Sequence, residues 1–299
     1  DGLASGKALV TIIEGSNHRC SYCVVPGTRG REVCREMDSV LSEVSSLTAS
    51  SIVEIEYLGQ TVNAYRDSTG QTLGDLLLAT TEIDGIERIR FATSHPAQMT
   101  EQLIEAMAAA RPKLCPYLHL PVQSGSSKVL RDMRRGYDRA GYLAKIESIR
   151  RQIPEMLFGT DLIVGYPTES NEDFEETLTL LDEVQFDMTY AFAYSPRPAT
   201  AALNLGDPVA QELKAQRLSR LQNHQKKIQE RRNKLWVGRE VPVLVEGRSK
   251  RDPTKWSGRT PENKVVNFMA DSLSGRVQSV RIISATAYSL QGEASGQHA

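Results

Sequence analysis

No stretch of this 299-residue chain approaches the ~20 consecutive apolar residues that a membrane span needs, so the sequence offers no bilayer-crossing segment. The opening Asp1 to Lys7 has neither the basic head nor the apolar core of a signal peptide, and a cytoplasmic protein is the expectation. Cysteine is scarce. Its four residues, Cys20, Cys23, Cys34 and Cys115, lack the regular spacing of a disulfide framework, which leaves the close pair Cys20 and Cys23 to metal or redox chemistry. An excess of one charge sign is missing too: 36 Lys and Arg face 37 Asp and Glu, so any nucleic-acid surface has to come from local clustering. The length suits one large domain of about 250 residues followed by a small one.

What is present is an alternation of apolar strand candidates and amphipathic helix candidates, the pattern of parallel βα units. The strands are expected at Ala8 to Glu14, Val53 to Leu58, Arg88 to Thr93, Tyr117 to Val122, Leu157 to Val164 and Met188 to Tyr194. Helices are expected near Asp38 to Leu47, Leu73 to Thr80, Thr100 to Ala110, Asp138 to Ile153 and Glu172 to Val184. Six such units predict an α/β partial TIM-like (βα)6 barrel rather than a closed eightfold one. In such folds chemistry collects beyond the carboxyl ends of the strands. There the chain places Leu58 to Asn63, Thr93 to Pro96, Leu120 to Ser126, Asp161 to Pro167 and Tyr194 to Arg197. Each segment alone reads as turn chemistry or helix capping; their position on one rim gives them weight.

Beyond Pro208 a polar helix is expected from Ala210 to Leu235. Eight Lys or Arg against Glu212 and Glu230 give it a formal charge of +6. Leu218, Leu221 and Ile228 supply a packing stripe, and the basic side is expected to face outward, where it can track phosphates. From Val237 short strands return, at Glu240 to Glu246, Val265 to Met269, Gln278 to Thr286 and Ser289 to Gly292. Turns at Gly247, Asp252-Pro253 and Ser274-Gly275 separate them, the layout of a small all-β barrel.

Two thiolates two residues apart hold a soft metal or part of an iron-sulfur cluster. Here they stand in Glu14-Gly15-Ser16-Asn17-His18-Arg19-Cys20-Ser21-Tyr22-Cys23, followed by Val24 to Gly30. The whole loop resembles that of the radical S-adenosylmethionine (SAM) enzymes, in their methylthiotransferase branch. The run Val245 to Phe268, with Trp256, resembles an RNA-binding TRAM domain. The resemblance covers Lys7 to about Gly292. Thr28-Arg29-Gly30, Leu58 to Asn63 and Ser249 to Phe268 match the tRNA-modifying members better than those that modify a ribosomal protein.

The resemblance implies a radical-SAM domain over residues 1–236, a TRAM-like barrel over 237–293 and a tail over 294–299. It implies a 4Fe-4S cluster on three cysteines spaced Cys-x-x-x-Cys-x-x-Cys, with SAM on the open iron. Cys20 and Cys23 take two of those places, and Ser16 stands at the first. Three readings of that serine stay open: an impaired cluster, a weak serine-ligated one, or replacement by Cys34, where the family usually has serine. Tyr22, Gly59, Gln60, Gln123, Ser124 and Asp161 are the implied SAM-pocket residues, and Lys250, Arg251, Arg259 and Lys264 the implied RNA contacts. Thr168 and Ser170 depart from the family's pattern around Glu169. The implied activity is 2-methylthiolation of isopentenyl-adenosine beside the anticodon of tRNA, with flavodoxin or ferredoxin as electron donor. A second 4Fe-4S cluster belongs to an amino-terminal domain that this sequence lacks, so a fragment is expected. The alternatives are a non-catalytic tRNA-binding relic, a ribosomal-protein methylthiotransferase, and a zinc-bound structural protein, for which His18 is too close in sequence to serve as a third ligand.

Overall fold

The computed structural model describes residues 6–270, 273 and 276–295. The expected turn at Ser274-Gly275 and the end of the tail, residues 296–299, lie outside them. Among the described residues no helix is long and apolar enough to cross a membrane.

The first half runs β1 (Lys7–Thr11), β2 (Ile13–Glu14), α1 (Val25–Arg29), β3 (Val33–Cys34), α2 (Met37–Thr48), β4 (Glu54–Leu58), α3 (Leu73–Thr81), β5 (Arg88–Phe91) and α4 (Glu101–Ala109). The second runs β6 (Tyr117–His119), α5 (Ser127–Asp132), α6 (Arg139–Gln152), β7 (Leu157–Val164), α7 (Asn171–Val184) and β8 (Met188–Ala193). Strands β1, β4 and β5 pair in parallel, as do β6, β7 and β8. A single parallel bridge, Ile89 with Leu114, links the two halves. The result is six parallel strands whose outermost members, β1 and β8, are not paired: an open barrel, as the alternation predicts. The expected fourth strand is the shortest, because Pro121 cannot donate to the ladder and the chain regains β7 only at the bridge from Gln123 to Leu162.

Helix starts follow side-chain caps. Thr72 and Asp75 form a reciprocal capping box at α3, Ser170 and Asp173 another at α7, and Thr100, Ser126 and Asp138 cap α4, α5 and α6. One face of β1 and β4 to β7 supplies the core under these helices, with Val10, Ile55, Tyr57, Ile89, Leu118, Phe158, Leu162 and Val164, and β8 adds the partly buried Ala191. By the strand's two-residue period the alternate residues, Leu9, Glu56, Arg90, His119, Asp161 and Tyr190 among them, face the inside.

α8 (Gln211–Lys234) lies against α7 and β8 and sets Leu221 and Ile228 into the core. Beyond it β9 (Glu240–Arg248), β10 (Trp256–Arg259), β11 (Val265–Met269), β12 (Val277–Ala285) and β13 (Leu290–Ala294) close a five-stranded barrel in the order β10-β11-β13-β12-β9. The expected tail therefore starts late, since Ala294 still pairs with Val280.

The small barrel stoppers the amino-terminal mouth of the large one. Arg90 donates to the carbonyls of Thr260 (2.7 Å) and Pro261 (2.9 Å), and Arg88 to those of Arg259 and Pro242. The buried Glu54 holds Arg90 at 2.9 Å. Lys264 completes the seam, with Nζ donating to Asp187 Oδ1 at the foot of β8 (2.7 Å) and to Asn233 Oδ1 of α8 (2.8 Å).

Candidate cluster loop and nucleic-acid interface

The loop between β2 and α1 is pinned at three points. Gly15 N donates to Gln60 Oε1 (2.6 Å), and Ser16 N donates to Gly30 O (3.0 Å). Arg135, buried behind the loop, donates from Nη1 to Cys20 Sγ (3.2 Å) and Tyr22 OH (3.4 Å), from Nη2 to Pro121 O (2.8 Å) and from Nε to Tyr137 OH (2.9 Å). Ser21 adds its hydroxyl to Asp132 O and Tyr166. The loop thus sits over the carboxyl ends of β6 and β7, with Tyr22 packed against the cluster of Val129, Met133, Tyr166, Tyr194 and Ala202.

Cys20 and Cys23 share one turn, closed by Cys23 N donating to Cys20 O (3.1 Å). Burial pushes the Cys23 thiol up, and Cys20 Sγ is the sulfur that the Arg135 guanidinium holds. At the third position Ser16 is buried, and its Oγ accepts from His18 N (3.2 Å). Among the described residues no group of three or more His, Cys, Asp or Glu converges as a metal site. The loop therefore fits a soft metal centre with two thiolates and lacks the third. Cys34 does not supply it: β3 sets this residue opposite Ile13, it packs on the core, and its Sγ accepts from Arg66 N (3.5 Å). Cys115 is buried, and its thiol is pushed up to about 11 by burial. It lies just before β6, its N–H donating to Ile89 O between Arg88 and Arg90, at the opposite mouth.

The other expected pocket residues separate. Gly59 is required by packing, because a Cβ there would stand 2.3 Å from Ile13 Cγ2 and 2.6 Å from Ile13 O. Gln60 anchors the loop. Gln123 holds a left-handed backbone (φ +80°) at the rim, exchanging main-chain bonds with Asp161 and Ile163, a conformation rare for a side-chain-bearing residue and common at functional sites. Ser124 is fully buried, its Oγ accepting from Ser126 N, so it is turn structure and not pocket lining. Asp161 lies three residues before the end of β7, on the inner wall beside His119 (3.1 Å). Sequence reasoning missed Arg135 and the stacked rings of His18 and His95 (4.0 Å between centroids). Burial, then the charge of Arg135 and then His18, holds His95 down to about 2.

On the small barrel, Lys250, Arg251 and Arg259 line an open cleft of about 620 Å³ together with Arg248, Lys255 and Tyr288. Arg248 stacks over the Trp256 ring at 3.7 Å, and Arg259 is steadied by Glu246 (3.2 Å). Tyr288 is exposed. Lys264 belongs elsewhere: burial and its two acceptors in the seam remove it from any RNA face. α8 turns Arg220, Lys226, Lys227, Arg231 and Lys234 outward, while the rest of its cations hold it in place: Lys214 donates to Tyr194 O and pairs with Asp207, Arg217 pairs with Glu169 and Arg232 with Asp187.

The radical SAM superfamily model matches residues 10–181, and the TRAM domain model matches residues 234–295. The tRNA-2-methylthio-N(6)-dimethylallyladenosine synthase of Clostridium botulinum (strain Loch Maree / Type A3) is 45% identical over 292 residues, 97% of this chain and 65% of that protein. The protein of the same name from Alkalilimnicola ehrlichii is 47% identical over 294 residues, with the same coverage of 97% and 65%. The chain thus spans about 65% of the length of these curated relatives. Among solved structures, the coproporphyrinogen III oxidase of Escherichia coli superposes with a TM-score of 0.54 at 15% identity, covering 86% of this chain and 67% of that one. A radical S-adenosylmethionine methyltransferase from Kitasatospora setae gives 0.54 at 20% identity, covering 66% of this chain and 38% of the other. These two likenesses concern the fold.

Proposed function

The chain belongs to the radical SAM superfamily, and from that premise we propose that it is the radical and RNA-binding portion of a tRNA methylthiotransferase acting on N6-isopentenyl-adenosine beside the anticodon. One observation carries the reading: a two-thiolate loop over an open six-stranded barrel is joined by a buried ionic seam to a cationic, aromatic cleft. The name borne by relatives at 45% and 47% identity supports the same substrate. We take residues 1–236 as the radical domain, 237–293 as the TRAM-like barrel, and the cytoplasm as its location.

A 4Fe-4S cluster would be held by Cys20 and Cys23, with SAM at the rim beside Tyr22 and Gln123. The chemistry these cofactors supply when bound is reductive cleavage of SAM and removal of hydrogen from carbon 2 of adenine, which side chains cannot perform. The protein's own part is positional. Arg135 ties the loop to the end of β6 and places a fixed cation at Cys20, Gln60 holds the start of the loop, and the cleft binds phosphates through its Lys and Arg side chains and stacks bases on the exposed Tyr288 and on Arg248, which Trp256 supports from below. Anticodon loops present unpaired bases that splay out at little cost. Once Cys20 and Cys23 are used, Cys34 and Cys115 stand apart, so a sulfur-donating second cluster would need ligands outside this chain. An external donor such as flavodoxin or ferredoxin would supply electrons. Ser16 favours a second reading, a tRNA-binding member without turnover.

Anaerobic reconstitution of the chain and of Ser16→Cys, followed by iron counting, 5′-deoxyadenosine assay and tRNA binding, tests both. The expected result is tRNA binding by each form, with higher iron content and SAM cleavage in Ser16→Cys and no 2-methylthio product from either. Equal iron and equal SAM cleavage in the two forms would remove Ser16 from the ligand set; failure to bind tRNA would end the proposal.

A further inference from the structure

The cluster loop has an outer surface as well as the side that Arg135 holds. Ser16, at the first ligand position, lines an open hollow of about 570 Å³ together with Arg19, Pro26, Gly30, Arg31 and Glu32. Arg29, in the last turn of α1, stands next to Gly30 in the chain. Arg19, Arg29 and Arg31 are exposed, and among the described residues none of them has an ion-pair partner. Against these guanidiniums the lining sets the carboxylate of Glu32, and Asn17 already engages both of its oxygens, through N (3.0 Å) and Nδ2 (2.9 Å). Val24 and Val33, on either side of the same stretch, leave 36% and 69% of their surface in solvent. The frame needs no partner to hold it: Ser16 N donates to Gly30 O, Pro26 stiffens the first turn of α1, and Ile13 and Glu14 pair with Cys34 and Val33.

Resting on the radical domain proposed above, we propose that this face is the docking surface for an acidic one-electron carrier protein, which sets its anionic rim on Arg19, Arg29 and Arg31 over the hollow at Ser16. The chemistry of the face selects a protein over a nucleic acid. Its unpaired cations are arginines, the basic residue enriched at protein interfaces, where lysine is depleted. Val24 and Val33 offer apolar contact that a phosphate backbone cannot match. Among the described residues no aromatic ring lines the hollow, whereas the cleft on the small barrel has Tyr288 and the stack of Arg248 on Trp256. Position selects a redox partner. Ser16 itself lines the hollow and Arg19 adjoins Cys20, so a single layer of loop separates a seated protein from a cluster held on these residues, and electron tunnelling falls steeply with distance. In the step the carrier is oxidised by one electron, the cluster is reduced by one, and no bond to the protein forms or breaks. Electron-transfer encounters are small, below about 1,200 Å² in total, and are steered by charge, which suits an open hollow ringed by fixed cations.

The test titrates the full chain, without a cluster, into fluorophore-labelled flavodoxin and reads polarisation, with tRNA binding measured in parallel. Wild type is expected to bind flavodoxin at about 0.01 M salt and to lose affinity at least about tenfold at about 0.15 M, as the screening length falls from ~30 to ~8 Å. Changing Arg19, Arg29 and Arg31 together to glutamine should weaken flavodoxin about tenfold at low salt, flatten the salt dependence and leave tRNA affinity as in wild type. Changing the same three to lysine should restore most of the binding, which a merely misfolded glutamine variant would not allow. Replacing Lys250, Arg251 and Arg259 with alanine should weaken tRNA and spare flavodoxin. No flavodoxin binding by wild type at low salt, or equal binding by the glutamine variant, overturns the docking surface and leaves the proposed function intact. Loss of tRNA instead of flavodoxin in the glutamine variant assigns the face to RNA and overturns it as well. If wild type binds no tRNA, the proposed function falls and the reason for a carrier falls with it.

Discussion

Arg90→Met tests whether the two barrels are one cooperative unit. Arg90 is buried and makes three bonds, two of them across the seam: Nη1 to Pro261 O (2.9 Å) and Nη2 to Thr260 O (2.7 Å) reach the small barrel, while Nε holds Glu54 Oε1 (2.9 Å) on the neighbouring strand of its own barrel. Methionine keeps much of the volume and removes all three. It also leaves Glu54, almost fully buried, with only Lys7 at 3.7 Å and Arg88 at 3.8 Å, and one carboxylate oxygen already lacks a hydrogen-bond partner. Removing one member of a buried ion pair costs about 3–5 kcal/mol, mostly as the penalty of the stranded charge. At a urea dependence of ~2–3 kcal/mol per molar, the midpoint should fall by roughly 1–2.5 M. Both tryptophans, Trp236 and Trp256, pack on the core of the small barrel, so their emission reports that barrel, while the far-UV helical signal reports α1 to α8 in the large one. In wild type the two signals should move together; in Arg90→Met the emission change should come first. Adding Glu54→Gln should recover part of the loss, because the stranded charge is then gone. An unchanged midpoint with coincident signals in Arg90→Met would refute the seam as the coupling element.

Three further outcomes are expected. Arg135→Lys keeps a positive charge but cannot fork to Cys20, Tyr22, Tyr137 and Pro121 at once, so it should cost about 2–4 kcal/mol and speed amide exchange over residues 16–23; protection equal to wild type would dismiss the clamp. Replacing Lys250, Arg251 and Arg259 together with alanine should weaken tRNA binding and flatten its salt dependence by about 0.7–0.9 in log-log slope for each phosphate no longer neutralised, whereas Lys264→Ala should lower stability without moving that slope. His95 sits near 2 in the fold against 6.5 in the open chain, so below pH 6.5 the unfolded state takes up the proton first; its share of stability is whole above that pH and is lost as pH falls, by about 2 kcal/mol at pH 5. His95→Phe should therefore show a shallower decline between pH 7 and 5, and an identical decline would show that the ring is protonated in the fold.

The six inner strands and five of the large helices were legible because each alternates or repeats its apolar residues against one continuous core, so local pattern and tertiary burial agree. The short pieces were not. β10 carries Gly258, where a Cβ would meet Leu244 O at 2.1 Å, so a residue that weakens a strand signal is demanded by the closeness of its neighbour β9. The two-residue pair β2 and β3 exists to fold the cluster loop back on itself and has no periodicity to read. Arg217, Arg220 and Arg232 of α8 read as free surface charge because their partners, Glu169, Glu175 and Asp187, lie 45 to 48 residues away in sequence. Lys264 reads as a surface base contact until the seam supplies Asp187 and Asn233. Asp161 reads as a rim residue until the register of β7 against β8 sets it beside Tyr190.

The cluster loop is held more firmly than two thiolates require. Its start is fixed by Gln60, its return by the bond from Ser16 to Gly30, and its middle by Arg135, so the positions of residues 16, 20 and 23 do not depend on a bound metal for their frame. Serine at position 16 fits that frame with a hydroxyl that accepts from His18 N, and a cysteine there would differ by little more than the size and softness of one atom. Cys34 would have to leave β3, break its pairing with Ile13 and surrender the bond from Arg66 to reach the same place, at the cost of the hairpin that brings Gly30 to Ser16. Restoring a third thiolate is therefore a one-residue change at position 16, while recruiting one from position 34 dismantles the loop it would serve. The geometry thus makes iron content in Ser16→Cys, and not in any Cys34 variant, the decisive measurement on this centre.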